Sequence, residues 1–172
     1  MGFGPPDWDV LGPLSVDIAR TFQIPCCIEE SHLDPGFAYD PARDQYYSTA
    51  ILQKLSRIAA QLKSSFRILG VASVDLYVPI LTFVYGEAQL QGHCAVVSSH
   101  RLPEPGRPEL LHDRLLKEAT HELGHTYGLR HCDDWNCVMA SSHSVERMDI
   151  KSAAFCSNCA KTIHQSRHLG AH

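Results

Sequence analysis

The sequence predicts an α/β (α+β) fold, a sheet in which one edge strand runs against the rest and helices pack on its faces. Three observations carry this. Arg67 to Val74, Ile80 to Gly86 and Gly92 to Ser98 are rich in Val, Ile and aromatics and are separated by turn residues, as strands are. Ser48 to Ser64 and Pro108 to Tyr127 flank them with apolar residues at helical spacing. The link from Glu87 to Gln91 is too brief for a parallel crossover, which needs roughly a dozen residues, so one edge strand is antiparallel.

The elements follow in order. Asp7 to Val10 reads as a short strand, Ser15 to Phe22 as a helix and Ile24 to Glu29 as a strand. Ser31 to Tyr47, rich in Pro, Asp and Tyr without a period, reads as a loop. In the helix from Ser48 to Ser64, Ile51, Leu52, Leu55, Ile58, Ala59 and Leu62 form one face, which should pack on the sheet. In the helix from Pro108 to Tyr127 the repeating positions are Leu111, Leu115, Leu116, Ala119, Leu123 and Tyr127, with Pro108 suited to its start and Gly128 to its end. An irregular cysteine-bearing stretch comes next, then a C-terminal helix from about Met148 carrying Ile150, Ala153, Ala154 and Ile163, and a loose tail from Gln165 to His172.

The 172 residues, 44% of them hydrophobic, suffice for one domain with its own core. A net charge of −4 gives no electrostatic reason for a nucleic-acid or acidic-membrane partner. No basic stretch followed by an apolar core opens the chain, and no apolar run reaches the roughly 18 residues that cross a bilayer. The expectation is a cytoplasmic monomer.

The decisive run is His121-Glu122-Leu123-Gly124-His125-Thr126-Tyr127-Gly128-Leu129-Arg130-His131, with H-E-x-x-H-x-x-G-x-x-H spacing. His121 and His125 project from one helix face a turn apart, close enough to share a zinc ion. A helix cannot supply the third ligand, but Gly128 can adopt the left-handed conformation that turns the chain and returns His131 to the metal. Three neutral imidazoles leave a position for water, which marks a catalytic site rather than a closed structural one. Glu122 is placed to accept that water's proton as general base. With 11 histidines in the chain, an isolated one carries no weight: His32, His93, His100, His112, His164, His168 and His172 read as surface or core residues.

Of seven cysteines, Cys132-x4-Cys137 and Cys156-x2-Cys159 form two pairs directly after the histidine motif. In a reducing compartment they read as a tetrahedral structural zinc site, and Cys132 beside His131 would couple the two metals. Two Zn2+ ions are therefore expected, one catalytic and one structural. Cys26, Cys27 and Cys94 sit in apolar stretches and read as small buried residues without a role.

These motifs resemble those of the archaemetzincins, a branch of the metzincin zinc peptidases: Cys directly after the third His (His131-Cys132), Cys-x-Met (Cys137-Val138-Met139) and a later Cys-x-x-Cys (Cys156 to Cys159). Tyr39 to Tyr46, Asp75 to Pro79 and Phe83 to Gly86 are similar to family segments as well. The resemblance implies a compact metzincin-like fold with a twisted mixed sheet, a backing helix, an active-site helix, a Met-turn at Met139 and a C-terminal helix. It implies a peptide or protein substrate, with aminopeptidase-like activity associated with members, and a supporting role for Asp149 and Lys151. Asp149 as a helix N-cap and Lys151 as a solvated side chain are equally good readings. The sequence departs from the family pattern at Ser141 and His143. Substrate could add as a strand along Ile80 to Gly86, which reads equally well as an ordinary sheet edge.

Two other functions compete. A non-catalytic zinc protein of the same fold would bind peptides or a partner, but such a site has no need of Glu122. A zinc-ribbon nucleic-acid module fails on charge, because Asp133, Asp134, Glu146 and Asp149 outnumber Arg147 and Lys151 in the Cys132 to Cys159 stretch.

Overall fold

A computed structural model describes residues 2–3, 8–29, 32–62 and 66–169. Its main sheet joins β1 (Gly2–Phe3), β2 (His32–Leu33), β5 (Ile68–Ala72), β7 (Gly86–Ala88) and β8 (Cys94–Ser98) in the order β2-β1-β5-β8-β7. Every pair is parallel except the outermost, where β7 runs antiparallel to β8. The expected antiparallel edge is present, with a shifted register. Strand structure begins at Gly86 rather than Ile80; before it only Val84 bridges, to Leu76, and Ile80 is 90% exposed. Arg43 holds Leu81 and Thr82 in a loop, its guanidinium donating to both of their carbonyls.

Helix α2 (Ser48–Leu62) covers one face of the sheet through Ile51, Leu52 and Leu55, against Ala72, Cys94 and Val96. Helix α3 (Glu109–Thr126) covers the other, and α1 (Trp8–Phe22) packs on α3. Every residue of β8 is buried, as a strand clothed on both sides must be.

Several expected elements are replaced. Residues 8–10 are helical, not a strand, because Val10, Leu14, Ile18 and Phe22 form a stripe at four-residue spacing that buries against α3; Asp7 lies outside the described residues. Residues 24–29 make no strand: Ile24 N–H closes the helix end on Ala19 O, Pro25 lacks a donor, and Cys26 and Cys27 are exposed rather than buried. Cys94 is buried as expected. The expected loop before α2 contains a small hairpin, β3 (Tyr39–Asp40) against β4 (Gln45–Tyr47), with β6 (Leu76–Tyr77) as a third strand. Tyr39 and Tyr46 pair across it with ring centres 5.1 Å apart.

The single C-terminal helix is in fact two. α4 (Val145–Ile150) is capped by Ser144, whose hydroxyl accepts from Arg147 N–H, and α5 spans Ser157–Leu169. Ala153 and Ala154 lie between them, because Lys151 and Cys156 turn inward to partners in the core. Residues 165–169 continue α5 rather than forming a loose tail, and residues 170–172 lie outside the described ones.

Candidate metal centre and active site

Helix α3 runs between the sheet and the C-terminal segments, so its last turns are buried although they carry polar residues. Thr120, His121 and Glu122 are all inside. It ends where expected: Gly128 has φ +91°, a conformation that strains any residue with a β-carbon, and its N–H donates to His125 O at 2.9 Å. The turn brings His131 back, so the His121, His125 and His131 ring centres lie 4.7 to 5.2 Å apart.

The hydrogen bonds fix what the rings present. His121 Nδ1 faces Val138 O at 2.9 Å and His125 Nδ1 faces Leu129 O at 2.7 Å. A carbonyl only accepts, so each Nδ1 carries the proton and each Nε2, in the neutral ring, carries a lone pair. Burial lowers the proton affinity of all three rings, least buried of them His131 at the surface, and His121, also beside Lys151, is pushed down to about 3. The two Nε2 atoms are 3.1 Å apart. Lone pairs meeting at that distance repel unless a cation lies between them. Tetrahedral zinc, with Zn–N near 2.0–2.1 Å, sets its nitrogens about 3.3 Å apart. The residues fit zinc.

Glu122 brings a buried carboxyl group to this site. Burial, then the carboxylates of Glu118 and Glu87, pushes it well above the ordinary carboxylate range. Among the described residues nothing donates a hydrogen bond to its carboxylate. A nearby dication would reverse that electrostatic balance.

Met139 is fully buried beneath the helix at Gly124, where a β-carbon would come within 2.4 Å of its Sδ. The sulfurs of Cys132, Cys137, Cys156 and Cys159 form a second cluster, their Sγ atoms all within 4.8 Å of one another. Cys132 and Cys156 Sγ stand 3.8 Å apart, matching the roughly 3.8 Å edge of a zinc–thiolate tetrahedron with Zn–S near 2.3 Å. Backbone N–H bonding, foremost from Cys159, lowers the Cys156 thiol to about 7, while burial raises Cys137 and Cys159.

Asp149 is not a helix N-cap and Lys151 is not solvated. Asp149 lies inside α4 and binds the buried Arg114 through both carboxylate oxygens at 2.7 Å. Lys151 is 3% exposed and donates to Glu118 and to Ala140 O. Glu118, Arg114 and the edge glycine Gly86 escaped the sequence reading. The available signal was the four-residue spacing of Arg114, Glu118 and Glu122, which puts three charges on one face of a buried helix.

A mixed sheet carrying a buried H-E-x-x-H helix, a glycine turn to a third histidine and a methionine below defines a zinc metallopeptidase. The chain matches the model of Peptidase family M54 over residues 16–165. It is 45% identical over 136 residues to the archaemetzincin of Methanopyrus kandleri, covering 79% of this chain and 75% of that protein. The crystal structure of archaemetzincin from Methanopyrus kandleri superposes with a TM-score of 0.83 at 35% identity, covering 98% of this chain and 96% of that one. A zinc-dependent peptidase from Methanocorpusculum labreanum superposes with a TM-score of 0.85 at 28% identity, covering 94% and 98%. The chain belongs to peptidase family M54, and its activity is that of a zinc metallopeptidase.

Proposed function

We propose that His121, His125 and His131 hold a catalytic zinc ion, that Cys132, Cys137, Cys156 and Cys159 hold a structural one, and that Glu122 is the general base of peptide-bond hydrolysis. The observation carrying this is the place of Glu122, a buried carboxyl beside the carboxylates of Glu118 and Glu87 and one residue from a ring whose Nε2 lone pair faces another. Its partner in the reaction is the attacking water. When bound, zinc supplies Lewis acidity that polarises a scissile carbonyl and acidifies that water.

The protein's own groups do the rest. Val138 O and Leu129 O hold the imidazoles in the tautomer that offers Nε2. Glu122 takes a proton from the attacking water and returns it to the leaving amine. Among the described residues strand β7 pairs only with β8 and ends the sheet, so a substrate backbone can add to its other edge as an antiparallel strand. Gly86 keeps clear the space that Glu122 occupies, Gly128 makes the turn that returns His131, and Met139 is the floor.

On this proposal the protein is one domain that acts as a cytoplasmic monomer on peptides, without nucleic acid. Among the described residues no helix is long and apolar enough to cross a membrane. The test is hydrolysis of a peptide library by zinc-loaded protein, with Glu122→Ala as control. Turnover should fall by about two to four orders of magnitude with zinc retained; unchanged turnover refutes the mechanism. Loss of cleavage on blocking the peptides' amino ends identifies an aminopeptidase, and retention an endopeptidase. A chain that binds peptides and zinc but cleaves nothing would be the non-catalytic alternative.

A further inference from the structure

Each carbonyl of the tripeptide Val138, Met139 and Ala140 accepts a hydrogen bond from a different part of the site. Val138 O takes His121 Nδ1 at 2.9 Å, and Met139 O takes the N–H of Cys132, next to His131, at 3.0 Å. Ala140 O takes Lys151 Nζ at 3.1 Å, and the same ammonium reaches Glu118 Oε1 at 3.2 Å. Glu118 lies on α3 one turn before Glu122 and three residues before His121. Two of these bonds attach the tripeptide to segments bearing the proposed ligands. The third attaches it, through a charge, to the body of the helix.

We infer that Lys151 is a positioning residue for the catalytic metal, tying the turn at Met139 to α3 through Glu118 so that Val138 O holds the His121 ring in place. The inference rests on the proposed role of the three histidines. Lys151 and Glu118 are 1% and 6% exposed at their side chains, so their bonds do not compete with water and the geometry they set is firm. Without the ammonium, Ala140 O loses its donor and the turn its tie to Glu118, while Val138 N–H on Ala154 O and Ala140 N–H on Cys137 O keep it folded but let it shift against α3. His121 Nδ1 then loses the fixed acceptor that orients Nε2, the kind of outer-shell change that costs about 10- to 100-fold in metal affinity.

A buried lysine opposite a buried glutamate also supports the fold, so the test separates the two roles. Cobalt in place of zinc gives a nitrogen-ligated site and a thiolate-ligated site with distinct absorption bands, which allows each affinity to be read alone. Lys151→Met should weaken the nitrogen site by about 10- to 100-fold, leave the thiolate site unchanged, and lower the unfolding temperature. Adding Glu118→Gln removes the unpaired buried carboxylate. E118Q/K151M should therefore regain thermal stability without regaining nitrogen-site affinity. If Lys151→Met alone does not fold, the same comparison is made between E118Q and E118Q/K151M. Unchanged nitrogen-site affinity, or affinity that returns together with stability, overturns the inference. Absence of a nitrogen-site band in the unmodified protein would instead refute the proposed ligand set.

Discussion

A β-carbon built on Gly86 would stand 2.6 Å from Cγ of Glu122 and 2.7 Å from Val96 O. Real side chains do not approach so closely, so the edge strand and the proposed base share one space. Gly86→Ala should push Glu122 from its place and lower kcat by about 100-fold, the scale of a 1 Å displacement in an active site. Zinc content measured alongside should stay unchanged. Wild-type kcat in this variant would show that Glu122 does not need its present position.

Gly128→Ala places a β-carbon on a residue with φ +91° and 2.9 Å from Gln91 Cγ. The strain should cost about 1–2 kcal/mol of stability in chemical denaturation. Because this turn returns His131, zinc affinity should fall as well. Full affinity would mean that His131 reaches the site by another path.

Replacing Cys156 and Cys159 by Ser should reduce bound zinc from two ions to one and lower the unfolding temperature by on the order of 10 °C, since metal binding here is folding energy. Elemental analysis with calorimetry reads both. Retention of two ions would remove the second site from the proposal.

Acid should strip and loosen the protein in a defined direction. Burial lowers all three histidines from 6.5, His121 to about 3, so the unfolded chain binds more protons than the folded one between those values. Stability therefore falls as pH drops from about 6.5 toward about 3. Asp149, held low by Arg114, acts with the same sign, its contribution being lost as pH falls through the carboxylate range. Zinc release followed with a dye should begin below about pH 6.5 and precede unfolding. Full retention at pH 4 would contradict the assignment of imidazole ligands.

The legible part of this protein was what local chemistry dictates. His121, His125, Gly128 and His131 lie within three turns' length of chain, so helical geometry and one glycine place them. The thiolate pairs declared themselves by spacing, and the antiparallel edge by the short link from Glu87 to Gln91. The obscure part depends on distant partners. Nothing near Ile80 in sequence announces that Arg43 will claim the carbonyls of Leu81 and Thr82, so the apolar run predicts a strand earlier than Gly86, where it begins. Nothing near Lys151 tells that it will be buried opposite Glu118. The helical stripe of α1 reached back to Val10 only because α3 was there to receive it.

From Arg114 to Thr126, helix α3 presents almost no surface to solvent. Such a rod gains little from forming alone, since its charges and rings find their counterparts only when the sheet and the cysteine segment close around it. Maturation of the reaction centre is thereby bound to completion of the fold, and a partly assembled chain has no half-built peptidase to misfire with.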